Sequence, residues 1–244
     1  MPQPPVFYAG RADLERDVVI LSGAEGRHAA TVRRLRPGER ADVSDGAGLV
    51  AECVVAARGS GGLELAVRTR REVPRPEPVI TVVQAIPKGD RGEAAVEGMT
   101  EVGVDRIVPW AAARCVAVWP PERAARSLAR WRATAREAAK QSRRAWIPEV
   151  TEPASTGQVA AMIAATSCAI VLDPEAADSL GGLGPQESAG LLLVVGPEGG
   201  ITDEEREVFL AAGATPRGLG PTVLRTSTAG MVAAGVLLSR CGRW

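Results

Sequence analysis

Residues Leu191–Leu210 read "LLLVVGPEGGITDEEREVFL". Five consecutive apolar residues suit a strand buried on both faces, and they run directly into Gly-Pro-Glu-Gly-Gly and a helix start. Thr202, with Glu205 three residues on, has capping-box spacing, and Asp203 and Glu204 add two more carboxylates to the same first turn. Those charges argue against a phosphate loop, which needs a free, positively polarised helix N-terminus. No Gly-Lys-Ser/Thr follows, and the glycine spacing is not GxGxxG.

A loop of small residues with exposed backbone amides suits a flat, neutral ring approached at close range. A ligand that is cationic elsewhere would not be repelled by Glu198, and S-adenosylmethionine, an adenine joined to a sulfonium, has that character. For these five residues alone, a plain strand-to-helix connection is the simpler reading. A second stretch, "RGLGPTVLRTSTAGMVAAGVLL" (Arg217–Leu238), repeats the order of strand, Gly-Pro turn and helix. Two such loops at the C-terminal ends of strands frame the kind of crevice where α/β sheets bind ligands. Arg225 stands just before the second helix, in a region (151–244) with five basic and ten acidic residues.

Outward from these loops, the chain after residue 78 alternates strand and helix. "VITVVQAIP", "DRIVPW", "CVAVW", "CAIVLDP" and "GLLLVVGP" read as strands, with a short one near "RGLG". "DRGEAAVEGMTEVG" reads as a helix with Asp90 as N-cap, Glu93 three residues later and Gly103 past its end. "PERAARSLARWRATAREAAKQS" is a long helix entered at Pro121, with Leu128, Trp131, Ala135, Ala138 and Ala139 on its apolar stripe. The pattern predicts an α/β domain with a mostly parallel, helix-covered sheet. Before the proline-rich "VPRPEP" (73–78), residues 1–72 read as short strands, including a hairpin turned at 59–62 and a tight turn at Asp45-Gly46. A short helix fits within "AEGRHAATVRRLRPG", so this part is predicted to be a small β-barrel.

The 244 residues carry 29 basic and 29 acidic side chains, a neutral total with local imbalance. Residues 121–150 hold eight basic and three acidic side chains, a net of +5 that fits either a polyanion-binding stripe or a solvated helix face. Four scattered cysteines without a CxxC pair favour core thiols over disulfides or zinc, and the single histidine, His28, excludes a multi-histidine metal centre. No metal is expected. The N-terminus lacks signal-peptide character and no apolar run has membrane-spanning length, so a cytoplasmic protein with no membrane partner is expected.

"VVGPEGGITDEE" followed by "LGPTVLRTSTAG" closely resembles the signature of the RsmE family, ribosomal small-subunit RNA uridine-N3 methyltransferases of the SPOUT (trefoil-knotted) superfamily. "QAIPKGDRGEAAVEGMTEVGVDRIVPW" and "RWRATAREAAKQSRRAWIPEV" are similar to further family segments, and "HAATVRRLRPGERADVSDG" to its PUA-like RNA-binding β-domain. The resemblance covers most of the chain. It implies a PUA-like domain over 1–72, a linker over 73–78, and a knotted methyltransferase domain over 79–244 that forms a homodimer. It implies S-adenosylmethionine held by Leu172, by Gly196, Glu198, Gly199, Gly200 and Ile201, and by Leu219, Gly220, Leu224 and Thr226. The implied reaction is methylation of uridine N3 in 16S ribosomal RNA, with the assembled small subunit as the expected partner. The chain departs from the family pattern at Thr222, Ser227 and Gly98, where arginine, an acidic residue and lysine are frequent.

Uracil N3 must lose its proton, so an arginine beside the flanking carbonyl oxygens favours the anion, and Arg225 is the candidate. Glu198 is a candidate base if burial raises its pKa, with loop orientation as its competing role and water as the competing base. For RNA phosphates the candidates are Arg33, Arg34 and Arg36, and, at the end of the long helix, Arg136, Lys140, Arg143 and Arg144. A non-catalytic RNA-binding protein on the same fold, or a related enzyme acting on another RNA position, would share most of these features.

Overall fold

The computed structural model describes residues 3–59, 62–117, 119–183 and 190–244. The chain forms two compact units, one of residues 1–75 with 139–147, the other of 76–138 with 148–244.

In the first unit, β1 (Val6–Tyr8), β2 (Val18–Leu21), β3 (Arg40–Ser44), β4 (Leu49–Gly59) and β5 (Gly62–Glu72) form one sheet in the order β1-β3-β4-β5-β2. β1 runs parallel to β3, and the remaining neighbours are antiparallel. The β4–β5 hairpin forms as expected, with register shifts at Glu52/Cys53 and Val55/Ala57; the tip residues 60 and 61 lie outside the described residues. Alternation places Val19, Leu21, Leu63 and Leu65 in a core with Phe7, Leu14 and Val43. The expected short helix is α2 (Gly23–Arg27), after α1 (Arg11–Leu14), and it continues into a π-helical turn, His28–Val32.

Residues 139–147 pack into this unit and change the meaning of two sequence candidates. Lys140 is buried, with Nζ 2.8 Å from Glu25 Oε2 and 5.3 Å from the Phe7 ring centroid. Arg143, in left-handed backbone conformation, pairs with Asp42 and donates to the Pro4 carbonyl. Burial pushes the Asp42 carboxyl up, against the opposing pull of Arg143. Both cations are paired with carboxylates inside the unit.

The second unit is a six-stranded sheet of β6 (Val79–Ala85), β7 (Arg106–Trp110), β8 (Glu149–Val150), β9 (Cys168–Leu172), β10 (Gly190–Val195) and β11 (Thr215–Arg217). Its order is β11-β9-β10-β6-β7-β8, and every pairing is parallel. Helices cover both faces. Ile80, Val82, Leu191 and Leu193 pack with α3 (Arg91–Val102), α4 (Pro121–Gln141) and α7 (Thr226–Arg240). Val83, Ala85, Leu192 and Val194 pack on the other face with α5 (Thr156–Ala164) and α6 (Asp203–Ala211). Burial on both faces explains why the strands are continuously apolar.

Two local expectations fail. Asp90 sits at the N-cap of α3 but its ψ is 1° and its side chain caps nothing; Glu93 instead pairs with Arg130 at 3.3 Å. Gly103 does end α3 in left-handed conformation. "CVAVW" forms no strand among its described residues. The apolar stripe of α4 is buried as expected.

Candidate functional site

β6, β7, β9 and β10 end on the same edge of the parallel sheet, and their C-terminal loops converge there. The chain runs outward from β6 to β8, then returns to place β9 and β10 on the other side of β6, a reversal that opens a crevice at the strand ends.

β10 delivers the Gly-Pro-Glu-Gly-Gly turn to this edge. The Gly200 N–H donates to Pro197 O at 2.9 Å, and Gly200 has φ +76°, a conformation that disfavours any side chain. The predicted capping box at Thr202 is present in both directions. Pro197 is buried, whereas Glu198, Gly199 and Gly200 are exposed. Glu198 Oε1 accepts the Lys88 N–H at 3.5 Å, which ties the loop to the end of β6. A Cβ on Gly196 would stand 2.8 Å from Ile201 Cγ1, so Ile201 closes over the start of the turn.

The second loop leaves β11 and returns to α7 beside the first. Leu180 N donates to Gly218 O at 2.7 Å and Gly218 N to Asp178 O at 2.9 Å, joining this loop to the one after Leu172. Leu172, Leu219 and Leu224 are half-buried against the core, while a side chain on Gly220 would meet open space. Arg225 is the N-cap residue of α7; its side chain is exposed and, among the described residues, makes no ion pair. Thr226 is buried and its carbonyl accepts Gln84 Nε2 at 3.3 Å. The structure thus brings Glu198, Gly199, Gly200, Gly220 and Arg225 to loops of one unit, with open space beside Gly220.

The roles of four residues at this edge escaped the sequence reading. Gln84, fully buried at the end of β6, also donates to Ala85 O, and its Oε1 has no partner among the described residues. Glu205 is buried, and its carboxylate accepts Ala113 N at 2.8 Å, Thr156 Oγ1 at 3.1 Å and Thr202 N at 3.2 Å. Trp110 Nε1 donates to the same Thr156 hydroxyl at 3.2 Å. Arg114, in the loop so anchored, lies against the glycine turn and donates to Gly199 O at 3.4 Å. Only the Glu205 capping spacing was visible locally; the other partners are 49 and 92 residues away.

Of the family departures, Gly98 has a clear structural setting: a Cβ there would stand 2.7 Å from Met231 Sδ, where α3 meets α7. Pro221, Thr222 and Val223 are exposed, and Ser227 is half-buried. In the first unit, Arg33, Arg34 and Arg36 are exposed and, among the described residues, carry no ion pair; Arg36 N–H donates to Glu39. Arg136 is exposed and Arg144 half-buried. His28 is half-buried, edge-on to Phe7 at 5.9 Å. Among the described residues no group of His, Cys, Asp and Glu is arranged to hold a metal, and no helix is long and apolar enough to cross a membrane.

Known proteins agree with this architecture. Residues 75–238 match the model of an RNA methyltransferase domain and residues 21–67 that of an RNA methyltransferase PUA domain. An RNA methyltransferase with a PUA domain is therefore the class that fold and sequence define. Ribosomal RNA small subunit methyltransferase E of Mycobacterium tuberculosis is 46% identical over 243 residues, covering 98% of this chain and 93% of that protein. Its namesake from Synechocystis sp. is 34% identical, covering 88% and 71%. A crystal structure of the enzyme of that name from Neisseria gonorrhoeae, bound to S-adenosyl methionine, superposes with TM-score 0.85 at 28% identity, covering 98% of each chain. The chain belongs to the ribosomal RNA small subunit methyltransferase E family.

Proposed function

We propose that the protein transfers a methyl group from S-adenosylmethionine to N3 of a uridine in 16S ribosomal RNA. The observation that carries this reading is the convergence, on one sheet edge, of the Gly-Pro-Glu-Gly-Gly turn and the Arg225-capped start of α7, in a chain of this family. The donor's holders would be the loop after Leu172, the turn Gly196, Glu198, Gly199, Gly200 and Ile201, and Leu219, Gly220, Leu224 and Thr226. Open space at Gly220 fits a flat ligand seated against backbone. When bound, the donor supplies an electrophilic methyl on a sulfonium.

Arg225 is assigned to favour the uracil anion, since it precedes α7 at the second loop and its side chain is exposed. Its backbone carbonyl accepts Thr228 N and Ala229 N, both at 2.9 Å, so the side chain starts from a fixed point. Glu198 orients its loop through Lys88 N–H, and the imino proton leaves to water.

Leu180 N–H to Gly218 O supports a knotted path, since it puts the chain entering α7 beside the β9–β10 connection. The bulged β4–β5 hairpin supports closure of the first sheet toward a PUA-like barrel. We assign RNA affinity to that domain (1–72) through Arg33, Arg34 and Arg36, and methyl transfer to 79–244, with 73–78 as linker. A homodimer is supported by the apolar groove that Val102 of α3, Met231, Val232 and Val236 of α7, and Trp244 line, where Val232 is 39% and Trp244 66% exposed. Light scattering should report a dimer, and Val232→Asp a monomer.

The decisive experiment incubates the protein and donor with small subunits lacking the modification, and with their protein-free RNA, then maps methylated positions by mass. Methyl at one uridine N3 is expected. Methyl on another base or on ribose, or none with either substrate, would overturn the reading.

A further inference from the structure

The loop after β7 carries an arginine that neither the donor site nor the proposed reaction uses. Arg114 lies along the glycine turn so closely that a Cβ on Gly199 would stand 3.0 Å from both its Cβ and its carbonyl oxygen. Its long hydrogen bond to Gly199 O uses only one of five guanidinium donors, and the side chain is exposed. Among the described residues it pairs with no carboxylate, although Glu204 is near enough for Arg114 to help hold that carboxyl below the usual range, after its own backbone N–H and the Thr202 hydroxyl. The loop is not free to drift. Glu205 grips Ala113 N–H from a buried position, and Cys115 N–H donates to Ala112 O at 3.1 Å.

Topology sets the loop of this cation apart from the donor loops. The loops assigned to the donor follow β9, β10 and β11, whereas Arg114 follows β7, on the other side of the glycine turn; β6, which lies between, ends in the segment that carries Lys88. A guanidinium with free donors on an anchored loop suits bidentate recognition of a phosphate. We propose that Arg114 binds a backbone phosphate of the RNA at or next to the target uridine, holding the base against the glycine turn and Arg225. The inference rests on the methyl-transfer site assigned above, and it adds an RNA contact within the catalytic unit to those of the β-domain.

Arg114→Ala and Arg114→Lys test it, with protein-free 16S RNA as the probe at two salt concentrations, donor affinity by calorimetry, and turnover. Arg114→Ala should weaken RNA binding about tenfold and lower the salt slope by about one, as loss of one phosphate contact does. KM for RNA should rise far more than kcat falls, donor affinity should hold, and Arg114→Lys should recover most of the binding. An unchanged salt slope overturns the proposal, and so does loss of donor affinity with RNA binding intact. RNA binding and its salt slope need no turnover, so a failed methyl-transfer assignment in the parent protein would be seen separately.

Discussion

Glu205 offers the sharpest test of how the site is held. Truncation by Glu205→Ala removes the acceptor for Ala113 N, Thr156 Oγ1 and Thr202 N together. A buried donor left unsatisfied costs about 1–3 kcal/mol, and loss of the capping reciprocity at Thr202 adds about 1 kcal/mol. Water entering the vacated space recovers part of that, so a net loss of about 3 kcal/mol is expected. In a chain of this length each kcal/mol lowers Tm by about 2–4 °C, giving about 6–12 °C by scanning calorimetry. Glu205→Gln keeps the volume and one acceptor oxygen but cannot serve both Ala113 and Thr202; it should lose about 1 kcal/mol, or about 2–4 °C. Hydrogen exchange should accelerate at the Ala113 amide in the alanine variant and stay unchanged in β10. A Tm shift below about 2 °C for Glu205→Ala would refute the reasoning, because three charge-assisted bonds could not then be anchoring the loop.

Four further outcomes follow from the same structure. Gly199→Val should abolish donor binding in a folded protein, since its Cβ meets the Arg114 backbone oxygen at 3.0 Å and the turn must move; calorimetry with the donor, beside circular dichroism, checks both halves. Replacing Arg33, Arg34 and Arg36 together with alanine should weaken RNA binding and flatten its salt dependence by about two to three phosphate contacts while donor affinity holds, whereas Arg225→Ala should lower turnover far more than RNA affinity. Burial pushes the Cys53 thiol up to about 11, so less than about 1% is thiolate at pH 8, and iodoacetamide should leave Cys53 unmodified in the native protein and label it on unfolding, as peptide mass mapping would show.

What the sequence determined by itself is what depends on near neighbours. The Thr202–Glu205 capping box closes over three residues, and Gly103 ends α3 because its left-handed backbone costs glycine little. Continuous apolar runs meant strands buried on both faces, and the stripe from Leu128 to Ala139 meant one buried helix face; all of these stand in the structure. Where a local signal needed a distant partner, it misled. Asp90 and Glu93 have cap spacing, yet Glu93 pairs with Arg130 and the Asp90 side chain caps nothing; "CVAVW" has strand composition and forms no strand among its described residues. Lys140 and Arg143 look like an exposed basic stripe, but Glu25 and Asp42, 115 and 101 residues away, neutralise them, and a charge gains most from an ion partner when burial removes its water. Arg114, Gln84 and Glu205 acquired their places at the site in the same way. Their partners are chosen by parallel strand order, which sets β10 beside β6 and carries the β7 loop to Gly199, and no sequence spacing encodes that order.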